Sequence, residues 1–149
     1  MSFGERDAFT SLLTTLIVAV MFYLRISGQS EAGAFGGPDA LQLWARMVLW
    51  LMVYSIGIAI AITILFTILY VILTGEKEPS DLKDERDQMI EHRGTRIGSA
   101  LAAAGLVAAI VDLAWGNTAL HAFNVMLIGC SASEIVKSLF KIYCYRRGF

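Results

Sequence analysis

Four long apolar runs, at 8–24, 41–74, 97–115 and 118–143, dominate the sequence, and almost every basic residue lies on one side of them. A run of ~20 apolar residues crosses a ~30 Å hydrocarbon core as a helix, because in lipid each backbone N–H must bond within its own segment. Consecutive spans alternate direction, so the start of the chain, the 75–96 segment and the tail share a side. That side holds Arg6, Lys77, Lys83, Arg86, Arg93, Arg96, Lys137, Lys141, Arg146 and Arg147. Of the 12 Lys and Arg, only Arg25 and Arg46 fall on the other. The positive-inside rule therefore assigns both ends of the chain and the 75–96 loop to the cytoplasm. The expected fold is all-α, a four-transmembrane-helix bundle that makes residues 1–149 a single multi-pass domain of the cell (inner or plasma) membrane.

Composition narrows the function classes. Hydrophobic residues make up 56% of the chain, beyond the ~45–50% of soluble domains, and 75–96 is the only sizeable polar segment. No soluble catalytic domain fits there. Its basic residues are interleaved with Glu76, Glu78, Asp81, Asp84, Glu85, Asp87 and Glu91, a pattern unsuited to nucleic acid. Cys130 sits inside the fourth run and Cys144 at its end, with no CxxC pair, so both read as structural thiols. With no Ser/His/Asp constellation or metal-ligand cluster either, the chain is expected to be no enzyme and to carry no cofactor. The first run reads as a retained span, because Arg25 and Glu31 separate it from the cleavage-like Ala32-Gly33-Ala34.

Between the first two runs, 26–40 reads as a Gly-rich external loop, with Pro38-Asp39 opening the second helix. No charge interrupts 47–73, so this span tilts or protrudes. Gly75 ends it. Trp44, Trp50 and Trp115 fall towards the external face, as an aromatic belt does. In the third run, Gly98, Ala102, Gly105 and Ala109 recur at steps of four and three, and Asp112 continues the stripe. Small residues let helix backbones approach closely in lipid. The stripe is expected to pack within the chain, with a homodimer as the alternative.

Gly116-Asn117 makes the last two runs a tight hairpin. Folding them back on each other sets Asp112 beside His121, Arg96 beside Lys137 and Ser99 level with Glu134. Asp112 and His121 then form a structural polar pair, since two ligands are too few for an ordinary metal site. Glu134 lies ~24 Å along its helix from Thr118, at ~1.5 Å per residue. That depth is near the cytoplasmic edge, where Lys137 and Arg96 neutralise it. The positions near the midplane, around Leu16, Ile60, Gly105 and Leu127, are uncharged, which argues against proton-coupled transport.

Residues 84–96 read as a short cytoplasmic helix between spans two and three. At about 100° per residue, Asp84, Asp87, Gln88 and Glu91 share one face. Arg86, Met89, Ile90, Arg93 and Ile97 share the other, with Arg96 continuing the basic edge. The arginines dock this helix against headgroups and bundle, leaving Asp84, Asp87 and Glu91 for a partner. In Asp84-Glu85-Arg86-Asp87, followed by Ile90 and Arg93, the chain resembles a family of uncharacterised prokaryotic four-span membrane proteins with a cytoplasmic Asp-Glu-Arg-Asp motif. Some of these resemble small membrane proteins that restrain a cytosolic transcription regulator. The resemblance implies an interaction role and supplies no catalytic residue. The expected function is thus non-enzymatic: restraint or anchoring of a cytosolic regulator of transcription or signalling, or contact with a membrane partner. A small oligomeric transporter or channel is the alternative.

The topology is testable by labelling from outside the cell, in a chain lacking Cys130 and Cys144. A Gly33→Cys thiol is expected to react with an impermeant maleimide and a Ser80→Cys thiol to stay unlabelled. The reverse pattern inverts the chain.

Overall fold

The computed structural model describes residues 3–75 and 85–147. Within them the chain forms α1 (Phe3–Glu31), α2 (Ala40–Thr74), α3 (Glu85–Ala114) and α4 (Ala119–Arg147), with no strand among the described residues. Each helix is long and apolar enough to cross a membrane. At ~1.5 Å per residue they run roughly 43–52 Å, well past a ~30 Å core.

The helix boundaries depart from the apolar runs in one direction. The first helix continues through 25–31, and the segment expected to be a separate cytoplasmic helix is instead the opening of α3, unbroken from Glu85 into the membrane. Hydropathy marks only the part of a helix that lies in lipid. The hydrogen-bonded helix continues until a residue stops it.

Those stops are legible. Gly33 has φ 70° and donates to Ser30, while Ala34 donates back to Gln29. Gly116 has φ 88° and repeats the pattern, Gly116 to Leu113 and Asn117 to Asp112. Both are Schellman closures, which need the left-handed conformation that glycine adopts without strain. Gly75 (φ 69°) ends α2 by a simpler bond to Val71. Thr118 starts α4, its hydroxyl accepting the His121 N–H at 3.3 Å, a cap of the usual kind. Asp39 precedes α2 without any side-chain cap bond.

The helices run antiparallel, α3 packing on α4, α4 on α1, and α1 on α2. The α3–α4 contact is by far the most extensive, and α2 touches α4 only slightly. The bundle is thus built outward from the α3–α4 hairpin, with α2 at its far edge. Most buried positions in the hairpin are small, Gly94, Gly98 and Ala109 on α3 and Ala122, Ser133 and Ser138 on α4; Ile90, Lys141 and Cys144 are buried at the end that carries the start of α3. At the crossing point Gly105 faces Gly129, and a Cβ built on Gly105 would lie 2.8 Å from the Gly129 Cα. The small-residue stripe therefore packs inside the chain.

Large apolar side chains point outward instead, among them Ile56, Ile60, Ile64, Leu65 and Ile72 on α2 and Val107 and Ile110 on α3. In water so much exposed apolar surface would be a liability; in lipid it is the solvated face. Three hydroxyls of α2 accordingly bond within their own helix, Ser55 to Met52, Thr63 to Ala59 and Thr67 to Thr63. The three tryptophans share one end, but Trp44 is not part of a belt. It is buried, its Nε1 donates to Asn124 Oδ1 at 2.8 Å, and its ring lies 5.4 Å from that of Phe123. Trp50 and Trp115 are exposed.

The glycine crossing yields a test with an internal control. Gly105→Ala forces a methyl group onto a backbone that cannot move aside, at a cost of about 1–3 kcal/mol, and is expected to lower the melting temperature in detergent. Gly57→Ala in α2 meets nothing within 4 Å and is expected to leave stability unchanged or slightly raised.

Candidate functional site

The charged residues of α1, α3 and α4 converge at the end of the bundle that carries both chain termini. Lys141 is the hub. Its side chain is only 5% exposed, its Nζ lies 2.6 Å from Glu91 Oε1 on α3, and Asp7 Oδ2 of α1 stands 4.0 Å away. Its aliphatic stem lies across Gly94, where an added Cβ would meet Lys141 Cγ at 3.1 Å. A glycine is therefore what lets the lysine reach between the helices. One turn further in, buried Ser138 donates to Ser11 of α1 at 3.3 Å.

Further contacts tighten the same end. Arg146 Nε lies 3.7 Å from Glu5 Oε1, and its guanidinium sits 5.6 Å from the Phe9 ring centre. Buried Arg6 stacks on Tyr70 of α2 at 4.8 Å, the kind of contact in which a cation meets the negative face of a ring. The Tyr145 phenol hydrogen-bonds Asp87, with Glu91 and Asp7 near enough to act on it by charge, and is pressed against Gly4. All four helices are tied together here by charge.

This geometry redistributes the expected site residues. Glu91 does not face solvent alone: its carboxylate turns onto Lys141, although its side chain remains 39% exposed. Asp87 is half-buried. Asp84 lies outside the described residues. Arg86 is half-buried, and its Nε has no hydrogen-bond partner among the described residues. Arg93 and Arg96 are exposed and line a shallow groove of about 550 Å³ with Met89, His92, Thr95 and Ser99. Glu134 pairs with Lys137 of its own helix at 2.8 Å, not with Arg96.

At the opposite end the hairpin geometry read from the sequence is present. Asp112 Oδ2 lies 2.7 Å from His121 Nδ1, and Asp112 Oδ1 accepts from Asn117 Nδ2 at 2.7 Å. One carboxylate thus holds both the turn and the start of α4. The His121 side chain is 61% exposed and that of Asp112 13%. No group of three or more His, Cys, Asp or Glu suited to a metal occurs among the described residues.

The sequence reading missed Lys141 as a hub, together with Asp7, Tyr145 and Gly4. A signal for the first was present. The spacing of four and three that links Gly98 to Asp112 continues backwards through Gly94, Glu91 and Asp87, onto the face that meets α4. The Asp7 and Tyr145 contacts depend on how α1 lies against α4, for which no periodicity gives notice. No protein-family model matches the chain, and no curated protein or solved structure is similar to it.

Two double-mutant cycles test the two ends. Glu91→Gln leaves a buried ammonium without its anion and is expected to cost about 1–3 kcal/mol. That is below the ~3–5 kcal/mol of breaking a fully buried pair, because the carboxylate is partly exposed. Lys141→Met is expected to destabilise as well, and the double variant to lose less than the two singles combined. At the other end, Asp112→Asn and His121→Ala are each expected to lower the melting temperature in detergent, again less than additively together. Additive losses in either cycle would remove that pair as a coupled contact.

Proposed function

We propose that this chain is a non-enzymatic integral membrane protein that acts by binding another protein, a cytosolic regulator of transcription or signalling, at its basic end. The observation that supports this most is the way α3 begins. Its first turns continue the membrane helix without a break and are clamped on the inner side by Glu91, Lys141 and Asp7. A helix held so firmly offers a preorganised surface, which lowers the entropy lost on binding.

In this reading Asp84 makes the partner contact together with the exposed part of Asp87, whose inner side meets Tyr145 of α4. Glu91 serves the ridge chiefly by holding it against α4, and Arg86, Arg93 and Arg96 set the helix at the headgroup boundary. The positive-inside bias supports a cytoplasmic position for this end, and the resemblance in the Asp-Glu-Arg-Asp segment supports the same interaction role. The uncharged midplane and the backbone contact of Gly105 with Gly129 count against a conducting path through one chain.

A second reading, a small oligomeric transporter or channel, draws on the edge position of α2, which leaves a long apolar face for another copy. Flux through proteoliposomes in proportion to dimer content would favour it.

The leading reading is tested by capture with the full chain as bait in mild detergent. A specific cytosolic partner is expected to co-purify, and less of it as salt rises, since contacts between exposed charges are screened over ~8 Å at physiological ionic strength. Asp84→Asn combined with Asp87→Asn is expected to abolish capture without altering insertion, while Trp115→Ala at the far end leaves it intact. Capture that survives the double change would sink the assignment.

A further inference from the structure

The end of the bundle away from the termini holds an anomaly. Only Arg25 and Arg46, of 12 basic residues, lie there, and Arg25 follows directly on the apolar run 8–24. Among the described residues Arg25 makes no ion pair. With Trp50 and Tyr54 it lines a cavity of about 250 Å³ between α1 and α2, whose lining also includes Phe22, Ile26 and Leu51. Trp50 and Tyr54 lie with ring centres 6.1 Å apart and are 62% and 48% exposed. A second cavity, of about 130 Å³, shares Phe22 and Leu51 and carries the trough onward to Leu127 and Ser131 of α4.

We propose that this trough is a binding site for an anionic glycerophospholipid of the phosphatidylglycerol type, its phosphate on Arg25 and an acyl chain along Phe22, Ile26 and Leu51. The three parts of the site match the three parts of such a lipid. A guanidinium presents forked donors to phosphate oxygens. Trp and Tyr favour the headgroup level, where one edge is wet and the ring is apolar. The rest of the lining is mostly apolar, from Met21, Phe22, Ile26, Met47 and Leu51 on two membrane-crossing helices, and suits an acyl chain. No carboxylate lines the cavity, so a choline or ethanolamine cation finds no counter-charge, whereas a headgroup with net negative charge is complementary.

The test uses the full chain purified in a neutral detergent, with bound lipid counted by native mass spectrometry and melting temperature followed during titration. Dioleoyl-phosphatidylglycerol is expected to bind and to raise the melting temperature, and dioleoyl-phosphatidylcholine to do so far less. Arg25→Gln should weaken phosphatidylglycerol binding about fivefold, the usual weight of one basic residue against an anionic surface. Arg46→Gln, outside the cavity, should leave it unchanged. Ile26→Trp should block the trough and reduce binding, with its lipid-free melting temperature reporting that it is folded. Glycerol 3-phosphate alone should give no shift. Equal effects of the two lipids, equal losses in the Arg25 and Arg46 variants, or a full shift with glycerol 3-phosphate would each overturn the proposal. So would an Ile26→Trp chain that keeps its lipid but loses dimers, which would assign the trough to a second copy.

Discussion

The close approach of Gly105 to Gly129 is the constraint on which the rest of this structure depends. In lipid there is no hydrophobic gain from bringing two apolar helices together, so association rests on how closely their backbones pack. Two glycines at the crossing remove the side chains that would hold α3 and α4 apart. With the crossing fixed, the register along both helices follows. Asp112 meets His121 at the turn, and Glu91 meets Lys141 near the other end. Neither polar pair would form if one helix slid by a turn.

Charge then completes what packing begins. Lys141 lies almost wholly inside the protein, where an isolated ammonium would be very costly. Glu91 at 2.6 Å, with Asp7 at 4.0 Å, offsets that cost. A buried ion pair is weak as a source of net stability but demanding about geometry. Here it joins α1 to the hairpin, beside the Arg146–Glu5 contact and the packing of Tyr145 on Gly4. Arg6 against Tyr70 brings α2 to the same place.

How much of this was legible follows from the range of each interaction. The four helices, their stops at Gly75 and Gly116, and the Asp112–His121 pair all depend on neighbours along the chain or on one short hairpin. Hydropathy and turn chemistry report such features directly. The cytoplasmic helix expected ahead of the third span is part of α3 itself, because the change from apolar to charged residues does not interrupt the helix. Polarity records where the membrane ends, whereas only a residue such as glycine in the left-handed region ends the hydrogen-bond ladder. Trp44 was misplaced for a related reason. An indole at the end of a span suits a belt, but Asn124 offered its Nε1 a buried acceptor that no spacing along α2 reveals. The Lys141 hub joins residues from three helices, and nothing local to any one of them announces it.

The edge position of α2 has a consequence for how this chain can vary. A helix wedged among neighbours must keep the shape of each inward side chain, but α2 rests mainly on α1 and turns most of its circumference to lipid. Lipid tails conform to whatever shape they meet. Along Ile56, Ile60, Ile64 and Ile72, exchanges among isoleucine, leucine, valine and methionine therefore alter no contact that holds the protein together, provided the run stays apolar. The hairpin has no such latitude, since one methyl group at Gly105 is already too many. Related sequences should accordingly drift fastest in their longest and most hydrophobic helix, the one a hydropathy profile would rank first.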